Sequence, residues 1–207
     1  RLNKVFNTAL IIHVIIALLI ILLAETVGLW FFYEKMTIPH GRLEAALWVY
    51  QISVITCFFS LTQVPYNATI IAYENMKIYA YVGIVEVLLK LSVVFLIFVS
   101  PIDKLVFYAL MLCLIQIGIM FFYRIYCNRH FASCVIHIYK DRRLFKEMFS
   151  YAGSDLIGNI AVLAQGQGLN ILLNMFFGPT VNAARGIAYQ VQGAITQFSN
   201  NFMTAVR

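Results

Sequence analysis

Polar side chains that could bind a substrate recur along one face of the last sixty residues. When the segment is drawn as a helix, one stripe of about 100° holds Asp155, Asn159, Gly166, Asn170 and Asn174. After the helix-breaking pair Gly178-Pro179, a second stripe holds Asn182, Arg185, Tyr189, Gln192, Thr196, Ser199 and Asn200. In a membrane, polar stripes line an interior cavity or make helix contacts. The pattern predicts a helix pair that faces a hydrophilic cavity.

Two charged residues of these stripes could do chemistry. Arg185 follows the Gly178-Pro179 break, and its permanently charged guanidinium can bind a phosphate through two parallel hydrogen bonds. It could instead pair with an acidic residue elsewhere in the protein or extend to the membrane interface. Asp155 could carry a proton or cation relay, or could simply begin a helix at the interface. We interpret Arg185 as a contact to substrate phosphate.

A second charged pair lies in the middle of the chain. Glu86 and Lys90 are four residues apart, so they share one helical face and can neutralise each other. A structural ion pair and a role in substrate or ion coupling are both open.

Four potential metal ligands occur close together. They are Cys127, His130, Cys134 and His137. On one helix they would share a side, but four ligands on one straight helix cannot close a tetrahedron around zinc. We therefore predict no metal and no cofactor, and instead an amphipathic helix in the loop, with Phe131, Val135 and Ile138 resting at the membrane surface. Cys57 and Cys113 lie within apolar segments, so no disulfide framework is indicated.

Composition sets the class of protein. Hydrophobic residues make up 62% of the 207 residues and charged residues 12%, against about 25% charged in an ordinary globular domain. The chain is predicted to be an all-α integral membrane protein. Because it opens at Arg1 and stops at Arg207 inside an apolar-periodic segment, we expect it to be part of a longer polypeptide.

Six apolar segments are long enough to cross a membrane as helices. They cover residues 5–33, 43–73, 78–99, 105–126, 148–177 and the segment from 181 onward. Pro65 is expected to kink the second, and Gly178-Pro179 separates the last two. Lysine and arginine are concentrated at the N-terminus, at Lys77 and in residues 124–146, so the positive-inside rule places loop 127–147 in the cytoplasm. The net charge of +6 is then explained by the orientation of the chain in the membrane, and no nucleic-acid-binding surface is predicted.

Enzyme motifs are missing from these residues. We find no Gly-rich phosphate loop, no G-x-S-x-G nucleophile motif and no H-E-x-x-H metal motif. The chain is predicted not to be an enzyme.

Three stretches carry a resemblance to a known family. They are VPYNATIIAYENMKIYAYVGIVEVLLKL (64–91), YCNRHFASC (126–134) and NMFFGPTVNAARGIAYQVQGAITQFSNNFMTAVR (174–207). The chain resembles the bacterial polysaccharide transporter family, the O-antigen and lipopolysaccharide flippase-like branch of the multidrug/oligosaccharidyl-lipid/polysaccharide exporter superfamily. Within that family it resembles lipopolysaccharide biosynthesis proteins of Bacteroides-like bacteria.

The resemblance implies an architecture. The whole protein would have twelve to fourteen helices in two lobes around a central cavity, in the bacterial cytoplasmic (inner) membrane. Residues 1–126 would complete the N-terminal lobe with four helices, 127–147 would link the lobes, and 148–207 would begin the C-terminal lobe.

The resemblance also implies a function. Such proteins move undecaprenyl-pyrophosphate-linked oligosaccharide, an O-antigen or capsule repeat unit, to the outer leaflet by alternating access. The residues that would line the substrate cavity are Arg185, Asn182, Gln192, Asn159, Asn170 and Asp155. Implied partners are the lipid-linked oligosaccharide, membrane lipids, and the glycan polymerase and glycosyltransferases of the same pathway.

Three other functions stay open. A multidrug or cation antiporter of the same superfamily would have an acidic, aromatic cavity. A membrane-embedded enzyme of glycan synthesis would need a large outer loop with His, Asp or Arg groups. In a scaffold protein, the polar stripes would be plain helix contacts.

Overall fold

The computed structural model describes residues 2–39, 41–100, 103–135 and 142–206, with the side chains of 99, 132, 154–165, 191 and 194–206 left out. Within these ranges the chain is all-helical and contains no strand, which confirms the predicted class. The long helices are α1 (Leu2–Glu34), α2 (Leu43–Ala72), α3 (Met76–Leu96), α4 (Lys104–His130) and α5 (Arg142–Val206). Short 3₁₀ turns follow α3 at Ile97–Val99 and α4 at Ala132–Cys134.

The first four helices match the first four predicted spans. Over the described residues, α1 to α4 are the helices long and apolar enough to cross a membrane. The two further spans predicted in residues 148–207 fall within α5, and their insertion in a membrane stays a prediction. Contacts divide the chain into two compact units: Arg1–Leu29 with His40–Ser154, and Trp30–Pro39 with Asp155–Arg207.

The core of the first unit lies at one end of its helices. Its buried residues are Phe6, Tyr66, Ile70, Val82, Ile119, Tyr123, Cys127 and Cys134. These come from the start of α1 and α3 and from the last part of α2 and α4, because successive helices run in opposite directions. The Phe6 ring meets the Tyr66 ring edge-on, with 5.2 Å between centroids. The same end is predicted to face the cytoplasm.

Elsewhere the helices expose large apolar side chains. Val87 and Phe95 on α3 are exposed, as is Phe98 in the 3₁₀ turn that follows it. An apolar surface of this extent is compatible with lipid as the surrounding solvent. α2 is helical from Leu43 to Ala72 with Pro65 buried inside it, and the Thr69 hydroxyl donates to the Pro65 carbonyl at 2.8 Å. The kink expected at Pro65 stays a prediction.

The connection before α4 is fixed by a helix cap. Asp103 is the N-cap residue of α4, and its carboxylate accepts the Leu105 N–H at 2.9 Å. Arg42, which precedes α2, forms an ion pair with the same carboxylate. The backbone hydrogen bond and the guanidinium together hold the pKa of Asp103 below its usual range.

α1 contains a π-helical turn at Ala24–Gly28. The Tyr50 hydroxyl of α2 donates to the Ala24 carbonyl in this turn at 2.7 Å. Gly28 lets the two helices approach here, because an added Cβ would overlap the Tyr50 hydroxyl oxygen and lie 3.4 Å from its Cζ. Glycine at position 28 therefore leaves the Tyr50 hydroxyl in place, whereas a larger residue would have to displace it.

This contact predicts a rescue between two substitutions. Gly28→Ala should lower the free energy of unfolding by about 1–3 kcal/mol, because the methyl group displaces Tyr50 and breaks its hydrogen bond. In a Tyr50→Phe background the methyl group has room, so Gly28→Ala should add little. Unfolding in mixed detergent micelles measures both effects. Gly83→Ala is the matched control, since a Cβ there meets nothing within 4 Å. Equal costs of Gly28→Ala in both backgrounds would contradict this account.

Candidate polar site at the Gly178 bend

α5 is broken at Gly178, whose backbone lies at φ 80° and ψ 177°. That region of backbone space is essentially open to glycine alone. Pro179 follows, and its fixed φ with no N–H suits the first position of a new helix. Two helical arms therefore meet at this residue pair.

The break brings Arg185 onto Asn170. Arg185 Nη1 donates to Asn170 Oδ1 at 2.9 Å, although the residues are 15 positions apart. Asn170 precedes Gly178 by eight residues and Arg185 follows it by seven, which is about 12 Å and about 10 Å of helix. Side chains at those distances from the break meet only if the arms bend sharply towards each other. The two polar stripes therefore face each other at this point.

The Arg185 guanidinium is held on two sides. Its Cζ lies 4.8 Å from the centre of the Tyr189 ring, one helical turn further on. Such a cation–π contact stabilises the charge by about 0.5–2 kcal/mol, depending on exposure. The side chain is half-buried. One of its five N–H groups donates to Asn170, whereas a bidentate phosphate contact requires two. The charge is thus oriented and still suited to an anion.

Amide groups extend the site along the first arm. The Asn170 amide Nδ2 donates to Gln167 Oε1 at 3.3 Å. Asn174 is 5% exposed, and its Oδ1 accepts the backbone N–H of Thr37 at 3.2 Å. Thr37 belongs to the segment Trp30–Pro39, which is part of the same compact unit. The site thus combines one fixed cation with hydrogen-bonding amides.

For the remaining predicted cavity residues, the structure shows no hydrogen bond with Arg185 or Asn170 among the described side chains. Asn182 is half-buried and Gln192 is exposed, both on the arm that carries Arg185. The side chains of Asp155 and Asn159 lie outside the described residues, as do those of Thr196, Ser199 and Asn200. The structure thus brings Arg185 and Asn170 together, and the roles of the other residues stay predictions.

Glu86 and Lys90 form an ion pair on α3. Lys90 Nζ lies 2.5 Å from Glu86 Oε1 across one helical turn. Both side chains are partly exposed. The geometry is that of a helical i,i+4 pair, and a role in coupling stays a prediction.

The predicted Cys/His group is arranged differently from a single helix. α4 ends at His130, and Phe131 has extended backbone angles. The His130 ring stacks on Tyr126 with 4.2 Å between centroids, and its Nδ1 lies 3.1 Å from the Tyr126 carbonyl. At Ala132–Cys134 a 3₁₀ turn takes the place of the expected amphipathic helix, because Cys134 is buried in the core and Asn3 binds the Ser133 carbonyl; Ile138 lies outside the described residues. His137 lies outside the described residues, and within them no group of three metal-ligating side chains occurs.

Sequence reasoning missed a chain of amides between α2 and α4. Gln116 Nε2 donates to Gln63 Oε1 at 2.8 Å, and Gln63 Nε2 lies 3.5 Å from Asn67 Oδ1. Gln63 is 8% exposed. The signal was available: Gln63 and Asn67 are four residues apart on either side of Pro65, inside an apolar segment. Paired amides of this kind join helices in lipid.

This amide pair predicts a measurable coupling. Gln116→Leu and Gln63→Leu should each lower the free energy of unfolding, because in either variant the remaining glutamine amide loses its partner. The double variant should cost less than the sum by about 0.6–1.7 kcal/mol. A double-mutant cycle in detergent measures the difference. Costs that simply add would show that the Gln63–Gln116 bond contributes nothing.

Over the described residues the chain is all-helical, and four of its helices could cross a membrane. The bend at Gly178, with the positively charged Arg185, belongs to α5 and not to those four helices. Comparison with protein-family models, with curated proteins and with solved structures found no match.

Proposed function

We propose that the chain is part of an alternating-access flippase that exports an undecaprenyl-pyrophosphate-linked oligosaccharide across the cytoplasmic membrane. The observation that carries the proposal is the hydrogen bond from Arg185 to Asn170 across the Gly178 bend. It sets a permanent cation beside amides on facing helical arms.

The chemistry of the substrate matches this set of groups. A pyrophosphate carries several negative charges, which a guanidinium binds through short, charge-assisted hydrogen bonds. Sugar hydroxyls both donate and accept hydrogen bonds, as do the amides of Asn170, Asn174 and Gln167. The resemblance of residues 174–207 to the polysaccharide transporter family supports the same assignment.

The sign of the charge favours a flippase over a cation antiporter. Between Gly166 and Gln190, where the side chains are described, the charged residue is Arg185. An exporter of cations needs carboxylates to attract its substrate, and a fixed guanidinium repels it. Tyr189, the aromatic side chain beside the site, is already covered by Arg185.

Transport in cells tests the proposal. The full-length protein that contains this chain would be expressed in bacteria that lack their own flippase, and lipid-linked oligosaccharide would be measured in each leaflet together with glycan at the surface. A flippase restores surface glycan and removes the precursor from the inner leaflet. Normal protein levels in the membrane with unchanged precursor would reject the function. Sensitivity to cationic drugs in the same cells tests the antiporter.

A further inference from the structure

The best-defined reactive group outside the Gly178 bend is a pair of buried cysteines at the end of α4. Cys127 lies in the last turn of α4, and Cys134 lies in the 3₁₀ turn that follows it. Both are 0% exposed, and their thiols are hydrogen-bonded to each other. The four cysteines of the chain are all free thiols in this structure.

Backbone hydrogen bonds hold the two cysteines together. Phe131 N donates to the Cys127 carbonyl at 2.9 Å, and Cys134 N donates to the Phe131 carbonyl at 3.0 Å. Phe131 takes part in both bonds, so it links the end of α4 to the 3₁₀ turn that contains Cys134. From α1, the Asn3 amide donates to the Ser133 and Val135 carbonyls, each at 2.8 Å. The sulfur atoms are thus kept in contact by the surrounding backbone.

Polar neighbours make one of the thiols the better nucleophile. The Cys134 thiol is within hydrogen-bonding distance of Cys127 and of the Thr69 and Ser133 hydroxyls. These groups, Cys127 first, hold the pKa of Cys134 below its usual range although burial opposes them. The Tyr66 carbonyl oxygen, 3.8 Å from the Cys127 sulfur, is an alternative acceptor for the thiol proton of that cysteine. Cys134 is therefore the attacking thiol and Cys127 its neighbouring partner.

A small cavity approaches this pair. Its volume is about 180 Å³, and it lies between α1, α2 and the 3₁₀ turn. Thr69 and Ser133, which both contact the Cys134 thiol, are among its lining residues. Cys127 and Cys134 do not line the cavity themselves, so a molecule of a few atoms, such as a peroxide, would reach the buried sulfur atoms past Thr69 and Ser133.

We propose that Cys127 and Cys134 form a reversible redox site that closes to a disulfide when a small peroxide enters this cavity. The Cys134 thiolate attacks one peroxide oxygen, the O–O bond breaks, and hydroxide leaves to give a sulfenic acid. The Cys127 thiol attacks that sulfur, the S–O bond breaks and water leaves. Two thiols and one hydrogen peroxide thus give one disulfide and two waters. A thiol reductant reverses the reaction by exchange.

The position of the pair fits a sensor better than a permanent crosslink. The charge pattern predicts that this end of the helices faces the cytoplasm, where disulfides are characteristically transient and redox-sensing. The disulfide would lock the turn after α4 onto the end of that helix. Cys57, in the middle of α2, and Cys113, in α4, serve as internal controls.

A thiol count tests the proposal. The protein in detergent is reduced, freed of reductant and treated with hydrogen peroxide, then denatured and alkylated. We expect free thiols to fall from four to two per chain, and to return to four with dithiothreitol. Peptide mass spectrometry should find residues 127 and 134 joined with the loss of two hydrogen atoms. Four alkylated cysteines after peroxide, or a crosslink that involves Cys57 or Cys113, would overturn it.

Variants test the order of the steps. In Cys127→Ser the sulfenic acid has no partner, so a 1,3-diketone probe should label Cys134. In Cys134→Ser, Cys127 should stay reduced. Cys113→Ser is the matched control and should still form the 127–134 disulfide. If Cys127 in Cys134→Ser were labelled as strongly as Cys134 in Cys127→Ser, the assigned order would be contradicted. The wild-type thiol count does not depend on the folding of any variant.

Discussion

Replacing Arg185 with alanine is expected to reduce glycan export about tenfold to hundredfold while the protein still reaches the membrane. A charge-assisted hydrogen bond contributes about 1.5–3 kcal/mol, so the net loss of one such bond weakens pyrophosphate binding about tenfold to hundredfold. Lipid-linked oligosaccharide should accumulate in the inner leaflet. Arg185→Lys should export little more glycan than Arg185→Ala, because an ammonium cannot make two parallel hydrogen bonds to a phosphate.

The control for this prediction is an arginine away from the Gly178 bend. Arg129, in the last turn of α4, is exposed, so Arg129→Ala removes the same charge from the chain. Export should be unaffected by it. Normal export in both Arg185 variants would exclude a substrate contact and leave Arg185 as a structural link to Asn170. A loss in Arg185→Ala that Arg185→Lys restores would indicate a need for charge alone.

Replacing Gly178 with alanine should lower the free energy of unfolding by about 1–3 kcal/mol, because a Cβ is strongly disfavoured at φ 80° and ψ 177°. No neighbouring atom lies within 4 Å of that Cβ, so the cost is backbone strain alone. The arms should straighten and separate Arg185 from Asn170. Export should then fall together with stability.

Gly186→Ala provides the comparison eight residues later. Gly186 is helical, and an added Cβ there also meets nothing within 4 Å. Alanine should stabilise that helix by about 0.5–1 kcal/mol. Unfolding in detergent, and the distance between spin labels on the two arms, measure both variants. Equal tolerance of alanine at 178 and 186 would show that the bend does not need glycine.

The helices could be predicted because their signals are local. Four apolar segments of sufficient length gave α1 to α4 to within a few residues, with α4 continuing to His130 beyond the expected end at Tyr126. The break in α5 could be predicted from Gly178-Pro179, because glycine tolerates backbone angles closed to other residues and proline has no N–H to continue a helix. The helical wheel also put Arg185 and Asn170 on the polar faces of their arms.

Features that depend on tertiary contact could not be predicted. The 3₁₀ turn at Ala132–Cys134 takes the place of the expected helix because Cys134 is buried in the core and because Asn3, 130 residues earlier, binds the Ser133 carbonyl. The contact of Gly28 with Tyr50 and the bond from Gln116 to Gln63 likewise join segments far apart in sequence. Helical periodicity describes one segment at a time and contains no information about these partners.

The bond from Asn3 to Ser133 also has a consequence for biosynthesis. During translation at about 5–20 residues per second, Asn3 emerges roughly 6–26 s before the residue that it binds. Throughout that interval α1 must remain in place without the turn after α4. Pausing the ribosome before residue 133 should leave this end of the nascent protein open to protease, and resuming synthesis should close it.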